Sequence, residues 1–224
     1  MPNAQATTEI AAPSPGLSFW GGGLNPYGVS HQKLGMWLFI ISDSLTFAAI
    51  LFGYAYLRAA SDHWPTPFEF FPSIVVSTMM TFVLLTSSLT MVLAVHNAQL
   101  GDRRKTVRWL AATMILGLTF VGLHLNEWRE LIHHGMTPGS NPWGDPLFGG
   151  TFFTITGLHM VHVVSGVIYL GVIARRTVRS RNREDDVEIS GLYWHFVDLV
   201  WMFVFPLIYL MSVNMGGAAT PGGH

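Results

Sequence analysis

The sequence contains no cysteine and very little charge. Of its 224 residues, 11% are charged and 50% are hydrophobic, the mean hydropathy is +0.39, and the formal net charge is -1. The lack of cysteine excludes disulfides, thiolate metal sites and cysteine nucleophiles. Because so few residues are charged, an ordinary soluble domain is not expected. The near-neutral balance gives no reason to expect a nucleic-acid partner.

The two ends of the chain lack long apolar runs. Residues 1–30 are rich in Ala, Pro and Gly and contain neither a basic segment nor an apolar one of the signal-peptide kind, so we expect no cleaved signal peptide. They predict a flexible N-terminal arm, and residues 214–224 predict a flexible tail. The remaining residues, 31–213, form the predicted membrane domain.

Five stretches between these ends are long enough to cross a bilayer, which needs roughly 20 apolar residues. The sequence lacks the alternation typical of membrane strands. We therefore predict an all-α bundle of five transmembrane helices. Their predicted bounds are Leu34 to Leu57, Ser73 to Val95, Trp109 to Trp128, Leu147 to Ala174, and Leu192 to Val213.

Basic residues predict the orientation of the bundle, since short loops rich in Lys and Arg remain in the cytoplasm. Ten of the twelve basic residues lie on the side of the N-terminus, in the arm and in the second and fourth loops. Only Arg58 and Arg129 lie on the other side. The N-terminus is thus predicted to be cytoplasmic and the C-terminus periplasmic.

Asp43 is the most unusual residue of the first span, about 14 Å inside it at a rise of roughly 1.5 Å per residue. Facing lipid as an ion, it would cost at least about 2.5 to 3.5 kcal/mol. We therefore expect it to face protein, with Phe39, Phe47 and Ile50 on the same side of the helix. It would take part in proton transfer, connect two helices, or belong to a polar cluster whose hydrogen bonds are satisfied.

The fourth span contains the stretch ITGLHMVHVVSG, in which His159 and His162 are three residues apart and Gly166 follows four residues later. These three positions share a helix face. The histidines could bind a metal or haem, although haem ligands usually come from opposed helices. Hydrogen bonding between helices is the alternative that we favour.

The fifth span opens with YWHFVDLVWMF, which places His195 and Asp198 on one face. A carboxylate beside an imidazole can orient it, so this could be a catalytic pair. Structural pairing near the membrane surface is the favoured alternative. Glu127, at the end of the third span, would be either a buried partner of one of these histidines or a solvated group. The Ser and Thr residues of the second span indicate helix packing.

Three stretches together resemble subunit III of the haem-copper oxidases. They are LGMWLFIISDSLTFAAILFGYAYLR, LFGGTFFTITGLHMVHVVSG and YWHFVDLVWMFVFPLIYL, and LGLTFVGLHLNEW with Glu127 precedes the last two. The resemblance covers His31 to Ser212. Subunit III commonly has seven helices, and this chain resembles the five-helix bacterial form, which begins at the third of them.

The resemblance implies an accessory subunit, without haem or copper of its own, in a cytochrome c or quinol oxidase that reduces oxygen to water. It implies a multi-pass protein of the bacterial plasma membrane that packs on subunit I, belongs to a complex with subunit II, and supports proton uptake and turnover stability. The haem and copper would lie in the partner subunits. Asp43 occupies the position where the family normally has Glu, near the entrance of a proton path. Glu127, His159, His162, His195 and Asp198 would form a polar hub.

The family also binds phospholipid in a cleft, which the resemblance assigns to Phe39 and Arg176 here. Arg175 and Arg176 end an apolar helix, where they could hold anionic headgroups or simply be solvated. Two other functions remain open. The chain could accompany a nitric oxide reductase, or it could be a free-standing membrane enzyme or cytochrome with histidine ligands.

Overall fold

The computed structural model describes residues 30–68, 73–179 and 184–213, and five long helices dominate it. They are α1 (His31–Ala60), α2 (Val75–Gln99), α3 (Arg103–His133), α4 (Pro146–Arg179) and α5 (Glu184–Val204). Each has the length and composition to cross a membrane, with the fifth span continuing to Ser212. Only two isolated β-bridges occur among the described residues. The predicted five-helix, all-α architecture is confirmed. The arm before Ser30 and the tail 214–224 lie outside the described residues.

The helices extend beyond the predicted apolar runs because their charged ends remain helical. α3 begins six residues before Trp109, at Arg103, where Asp102 accepts a hydrogen bond from the backbone N–H of Lys105 at 3.1 Å. α5 begins at Glu184, with three acidic residues in its first turn. Negative charge there is favourable beside the positive end of the helix dipole.

α5 ends in an irregular segment around Pro206. The helix is followed by a π-helical turn, Phe205–Tyr209, and a 3₁₀ turn, Leu210–Ser212. Proline has no backbone N–H and its ring clashes with the preceding turn, so a regular helix cannot pass through it. The change of helix type directs Tyr209 into the core, where it is fully buried.

α1 lies outside a tighter group formed by the other four helices. α2 packs most extensively on α3, while α1 contacts mainly α5 and, to a lesser extent, α4. Only 6% of the most apolar stretch of α1 is buried within the chain, against 28 to 50% for the other four. One face of α1 is therefore attached to the bundle and the rest of it faces outward.

Tryptophan side chains from α5 join it to hydroxyl groups on α2. The indole N–H of Trp194 donates to Ser87 Oγ at 3.0 Å, and that of Trp201 donates to Thr81 Oγ1 at 3.0 Å. Both tryptophans are almost completely buried. The predicted packing role of the serines and threonines of the second span is thus observed at these two positions.

Candidate functional site

Asp43 of α1 and His162 of α4 form a carboxyl–imidazole pair inside the membrane. Asp43 lies twelve residues beyond the first residue of α1, about 18 Å along the helix. Nε2 of His162 is 2.9 Å from Oδ2 of Asp43, with side-chain exposures of 14% and 16%. The contact has ion-pair distance without hydrogen-bond alignment. Phe47 covers the imidazole edge-on, at 5.2 Å between ring centroids.

The second nitrogen of His162 has a partner on the backbone. Nδ1 is 2.8 Å from the carbonyl oxygen of Leu158. Because a carbonyl oxygen can only accept, Nδ1 carries a hydrogen. A second proton, on Nε2, would turn the 2.9 Å contact with Oδ2 of Asp43 into an ion pair. Nε2 is therefore the nitrogen through which His162 faces Asp43.

His159 lies in a different environment from His162, although both are on α4. It is fully buried, its ring stacks on Trp201 with centroids 5.2 Å apart, and Phe120 contacts it edge-on. Neither of its ring nitrogens has a hydrogen-bond partner among the described residues. The two histidines of the motif thus have separate surroundings, and His159 belongs to an aromatic cluster.

Glu127 lies near the end of α3, where it connects that helix to α2 and to the π-helical turn after α5. Its Oε1 accepts from Ser77 Oγ at 3.0 Å, its Oε2 accepts from Tyr209 Oη at 2.8 Å, and Nδ1 of His124 is 3.3 Å from Oε2. The glutamate side chain is 10% exposed. Of the two sequence alternatives, the structure shows a buried partner, but the histidine is His124 rather than His159, His162 or His195.

His195 and Asp198 are linked through a third residue, Ser88 of α2. Ser88 Oγ is 2.7 Å from Nδ1 of His195, and the same hydroxyl interacts with the Asp198 carboxyl. Asp198 is 7% exposed, and its Oδ1 has no hydrogen-bond partner among the described residues. In a hydrolytic triad the histidine lies between serine and carboxylate. Here the serine lies between the other two, so the geometry differs from that of a catalytic triad.

Phe39 and Arg176, assigned to lipid by resemblance, are both on the outside of the bundle. Phe39 is 46% exposed and contacts Tyr193, with ring centroids 6.0 Å apart. Arg176 is exposed in the last turn of α4. Both positions are accessible to a lipid.

The sequence alone did not identify Ser77, Ser88, His124 and Tyr209 as members of these polar groups. Ser77 and Ser88 are eleven residues apart, which places them on one helix face, so periodicity offered a partial signal. Tyr209 follows Pro206, and no regular helical pattern continues through that residue. His124 and Glu127 are three apart, the same spacing as the two histidine motifs.

The chain is similar to proteins of known family. The model of cytochrome c oxidase subunit III matches residues 22–213. A cytochrome c oxidase subunit 3 from Bacillus sp. (strain PS3) is 34% identical over 82% of this chain and 87% of the relative. The cytochrome bo(3) ubiquinol oxidase subunit 3 of Pseudomonas aeruginosa is 33% identical over 81% and 86%. The quinol oxidase subunit 3 of Bacillus subtilis (strain 168) is 32% identical over 81% and 87%. The match covers all five helices, and this chain belongs to the cytochrome c oxidase subunit III family.

Proposed function

We propose that the chain is an accessory, non-redox subunit of a bacterial terminal oxidase, where it packs against the catalytic subunit in the plasma membrane and supports proton uptake. Membership of the subunit III family carries this proposal. The relatives described above are named as subunits of cytochrome c or quinol oxidases, which favours an oxygen-reducing partner over a nitric oxide reductase.

The surroundings of the histidines support a non-redox role. Both nitrogens of His162 already face oxygen atoms, of Leu158 and Asp43. Nδ1 of His195 faces Ser88, and His159 stacks on Trp201. A haem iron bound to either nitrogen of His162 would have to displace one of these contacts. The isolated chain should accordingly retain no stoichiometric haem, and a haem absorbance spectrum from the purified chain would instead favour the free-standing cytochrome.

Asp43 is the residue that we assign to proton uptake. It is an intramembrane acid whose Oδ2 lies 2.9 Å from Nε2 of His162, and such groups inside membranes typically serve ion or proton pathways. The partly exposed position of the pair leaves it open to a proton donor from a neighbouring subunit.

The experiment compares purified whole oxidase complexes carrying Asp43→Asn, Asp43→Glu or the unaltered chain, all checked for subunit content. Oxygen consumption, proton release and the loss of activity during turnover are measured together. We expect Asp43→Asn to slow proton uptake and to accelerate inactivation, because the amide cannot release a proton. Asp43→Glu should restore both properties, since it returns the carboxyl group. Unchanged kinetics in Asp43→Asn, with the subunit still bound, would leave only a structural role for this acid.

Phe39 and Arg176 are proposed to contact a structural phospholipid, with the guanidinium near the headgroup and the ring beside an acyl chain. Native mass spectrometry of the complex tests this by comparing Arg176→Gln with Arg129→Gln, a substitution of an exposed arginine on the opposite side. Only Arg176→Gln should reduce the bound phospholipid. Equal retention in both variants would contradict the assignment.

A further inference from the structure

A groove of about 310 Å³ lies between the end of α2 and the beginning of α5, on the side of the bundle where α1 starts. Four of its eight lining residues are polar, while most of the exposed lining surface is apolar. The polar residues are His96, Gln99, Glu188 and His195, and the apolar ones are Val92, Val95, Gly191 and Leu192. Lys33 of α1 pairs with Glu188 at the mouth of the groove. The polar side chains offer hydrogen-bond partners for water along the groove, between apolar residues.

The polar stripe continues from the groove into the membrane. Glu188, His195 and Asp198 occupy positions i, i+7 and i+10 of α5, which lie on one helix face. Asp198 is about 15 Å further along the helix than Glu188. His195 lines the groove, and Ser88 connects it to Asp198. The stripe therefore runs from the membrane surface to a buried carboxyl group.

The Asp198 carboxyl lacks the partners that a purely structural acid should have. It is 93% buried, since 7% is exposed, and its Oδ1 has no hydrogen-bond partner in the described part of the chain. A buried acceptor without a partner has lost its hydration with no hydrogen bond to replace it, which is unfavourable. Ionisable residues inside membranes usually face a water-filled cavity or form part of a proton relay. Proton binding from the groove accounts for both the burial and the missing partner.

We propose that the groove is a water-filled half-channel through which protons from the α1 N-terminal side of the membrane reach a proton-binding site at Asp198. This site is distinct from the Asp43–His162 pair, and the inference goes beyond the role proposed for Asp43. It also holds whichever electron donor the complex uses.

His195 and Ser88 can pass a proton from the groove to Asp198. Nε2 of His195 takes a proton from a hydronium ion in the groove, which becomes water, and Nδ1 releases its own proton to Ser88 Oγ. The Ser88 hydroxyl proton passes to the Asp198 carboxylate. New H–Nε2, H–Oγ and H–Oδ bonds replace one O–H bond of the hydronium ion, the Nδ1–H bond and the original Oγ–H bond. No redox change takes place, and the reverse sequence returns the proton.

Cysteine accessibility tests whether the groove holds water, and the cysteine-free sequence makes this test clean. Val92→Cys places a thiol in the groove. Val172→Cys is the matched control, because each valine is seven residues before the last residue of its helix and α2 and α4 end on the same side. The complexes are treated in membrane vesicles with a charged, membrane-impermeant thiol reagent, and labelling of this subunit is measured.

Val92→Cys should react at least about tenfold faster than Val172→Cys, because only a thiol in water ionises to the reactive thiolate. Equal rates would overturn the proposal. Absence of labelling at both positions would also overturn it, since a lipid or a partner helix would then fill the groove.

Infrared spectroscopy of the whole complex tests the acid itself. The unaltered complex should show a protonated-carboxyl band that is lost in Asp198→Asn and that shifts promptly in deuterated water. Val92→Phe, which plugs the groove, and Ser88→Ala should each slow the shift, whereas Val172→Phe should not. If Asp198→Asn fails to assemble, the proposal is tested by the rate of the deuterium-induced band shift in Val92→Phe and Ser88→Ala alone. Exchange that is unaffected by both would overturn the proposal.

Discussion

Trp194 illustrates how a single residue controls the packing of three helices. Its indole lies between Gly117 of α3 and Gly166 of α4, while its N–H donates to Ser87 of α2. A Cβ atom at Gly117 would lie 2.5 Å from Cη2 of the indole, and one at Gly166 would lie 3.1 Å from its ring. The two glycines therefore provide the space that the tryptophan occupies.

Gly117→Ala should destabilise the chain by about 1 to 3 kcal/mol, because the methyl group overpacks against the rigid indole. Gly122→Ala is the control on the same helix, since no atom lies within 4 Å of its added methyl group. That variant should be neutral or more stable by up to about 1 kcal/mol, because alanine favours the helix. Denaturant unfolding in detergent measures both, and equal stability of the two variants would contradict the packing argument.

The sequence located the important polar residues better than it located their partners. Asp43 was predicted to face protein with Phe39, Phe47 and Ile50 beside it. Phe47 is buried and Ile50 is partly buried, but Phe39 faces outward. The pairing of Asp43 with His162 joins residues 119 positions apart. Periodicity describes one helix at a time, so it defines a face without saying which helix covers it.

At the scale of the elements, α1 is the helix with the fewest attachments to the bundle. Few of its side chains are buried, among them Phe47 and Tyr54. Polar contacts attach it near its beginning, its middle and its end. Lys33 pairs with Glu188, Asp43 pairs with His162, and Arg58 donates to the Met211 carbonyl at 2.6 Å and to Ser212 Oγ at 3.2 Å. These contacts position α1 while most of its surface is free for lipid or another subunit.

Arg58→Ala should loosen the end of α1. Hydrogen bonds from a charged donor contribute about 1.5 to 3 kcal/mol when partly buried, so we expect a loss of about that size. Arg129→Ala is the matched control on the same membrane side, because its side chain is 68% exposed and, within the described part of the chain, its only ion pair is with the neighbouring Glu130 at 3.7 Å. It should change the stability by less than about 0.5 kcal/mol. Similar losses in the two variants would indicate a general charge effect. Thermal unfolding in detergent separates these outcomes.

Asp102 caps the N-terminus of α3 outside the membrane. The backbone N–H of Lys105, followed by its ammonium group, lowers the pKa of the Asp102 carboxyl below its usual 3.8. Since the pKa is lower in the folded state, the carboxylate stabilises the fold fully above pH 3.8. This contribution is lost as the pH falls through the lower, folded-state value.

Asp102→Asn should therefore unfold at a lower temperature than the unaltered chain at neutral pH. Asparagine is also a good cap, so the variant removes the charge while keeping the hydrogen-bond acceptor. The difference in Tm should shrink as the pH falls below 3.8. Circular dichroism melts over a pH series measure it. A difference that is constant with pH would show that the charge has no part in the effect.

Helix existence was predictable in all five cases, because each apolar run is long enough to span the bilayer. The ends of the helices were not predictable. The membrane requires apolar side chains only in its hydrocarbon core, and the helical backbone can continue beyond that core. The additional residues at 103–108 and at 184–191 are mostly polar or charged, and they extend the helices into the aqueous layer. The break at Pro206 falls inside the predicted fifth span.

Across the whole molecule, basic residues are concentrated at one end of the bundle. α1, α3 and α5 begin there, and α2 and α4 end there. The described basic residues at that end are Lys33, Arg103, Arg104, Lys105, Arg108, Arg175, Arg176 and Arg179, and those at the other end are Arg58 and Arg129. Arg181 and Arg183, also counted in the prediction, lie outside the described residues. An asymmetry of this kind predicts the cytoplasmic side.

Two cysteines introduced into the cysteine-free chain test this orientation. Arg104→Cys lies at the basic end and Asp62→Cys at the other, and both residues are exposed. In cells whose outer membrane admits small reagents, an impermeant thiol reagent should label Asp62→Cys and leave Arg104→Cys unlabelled until the plasma membrane is opened. The reverse pattern would invert the bundle. It would then place the mouth of the α2–α5 groove in the periplasm, so that protons would reach Asp198 from the opposite side of the membrane.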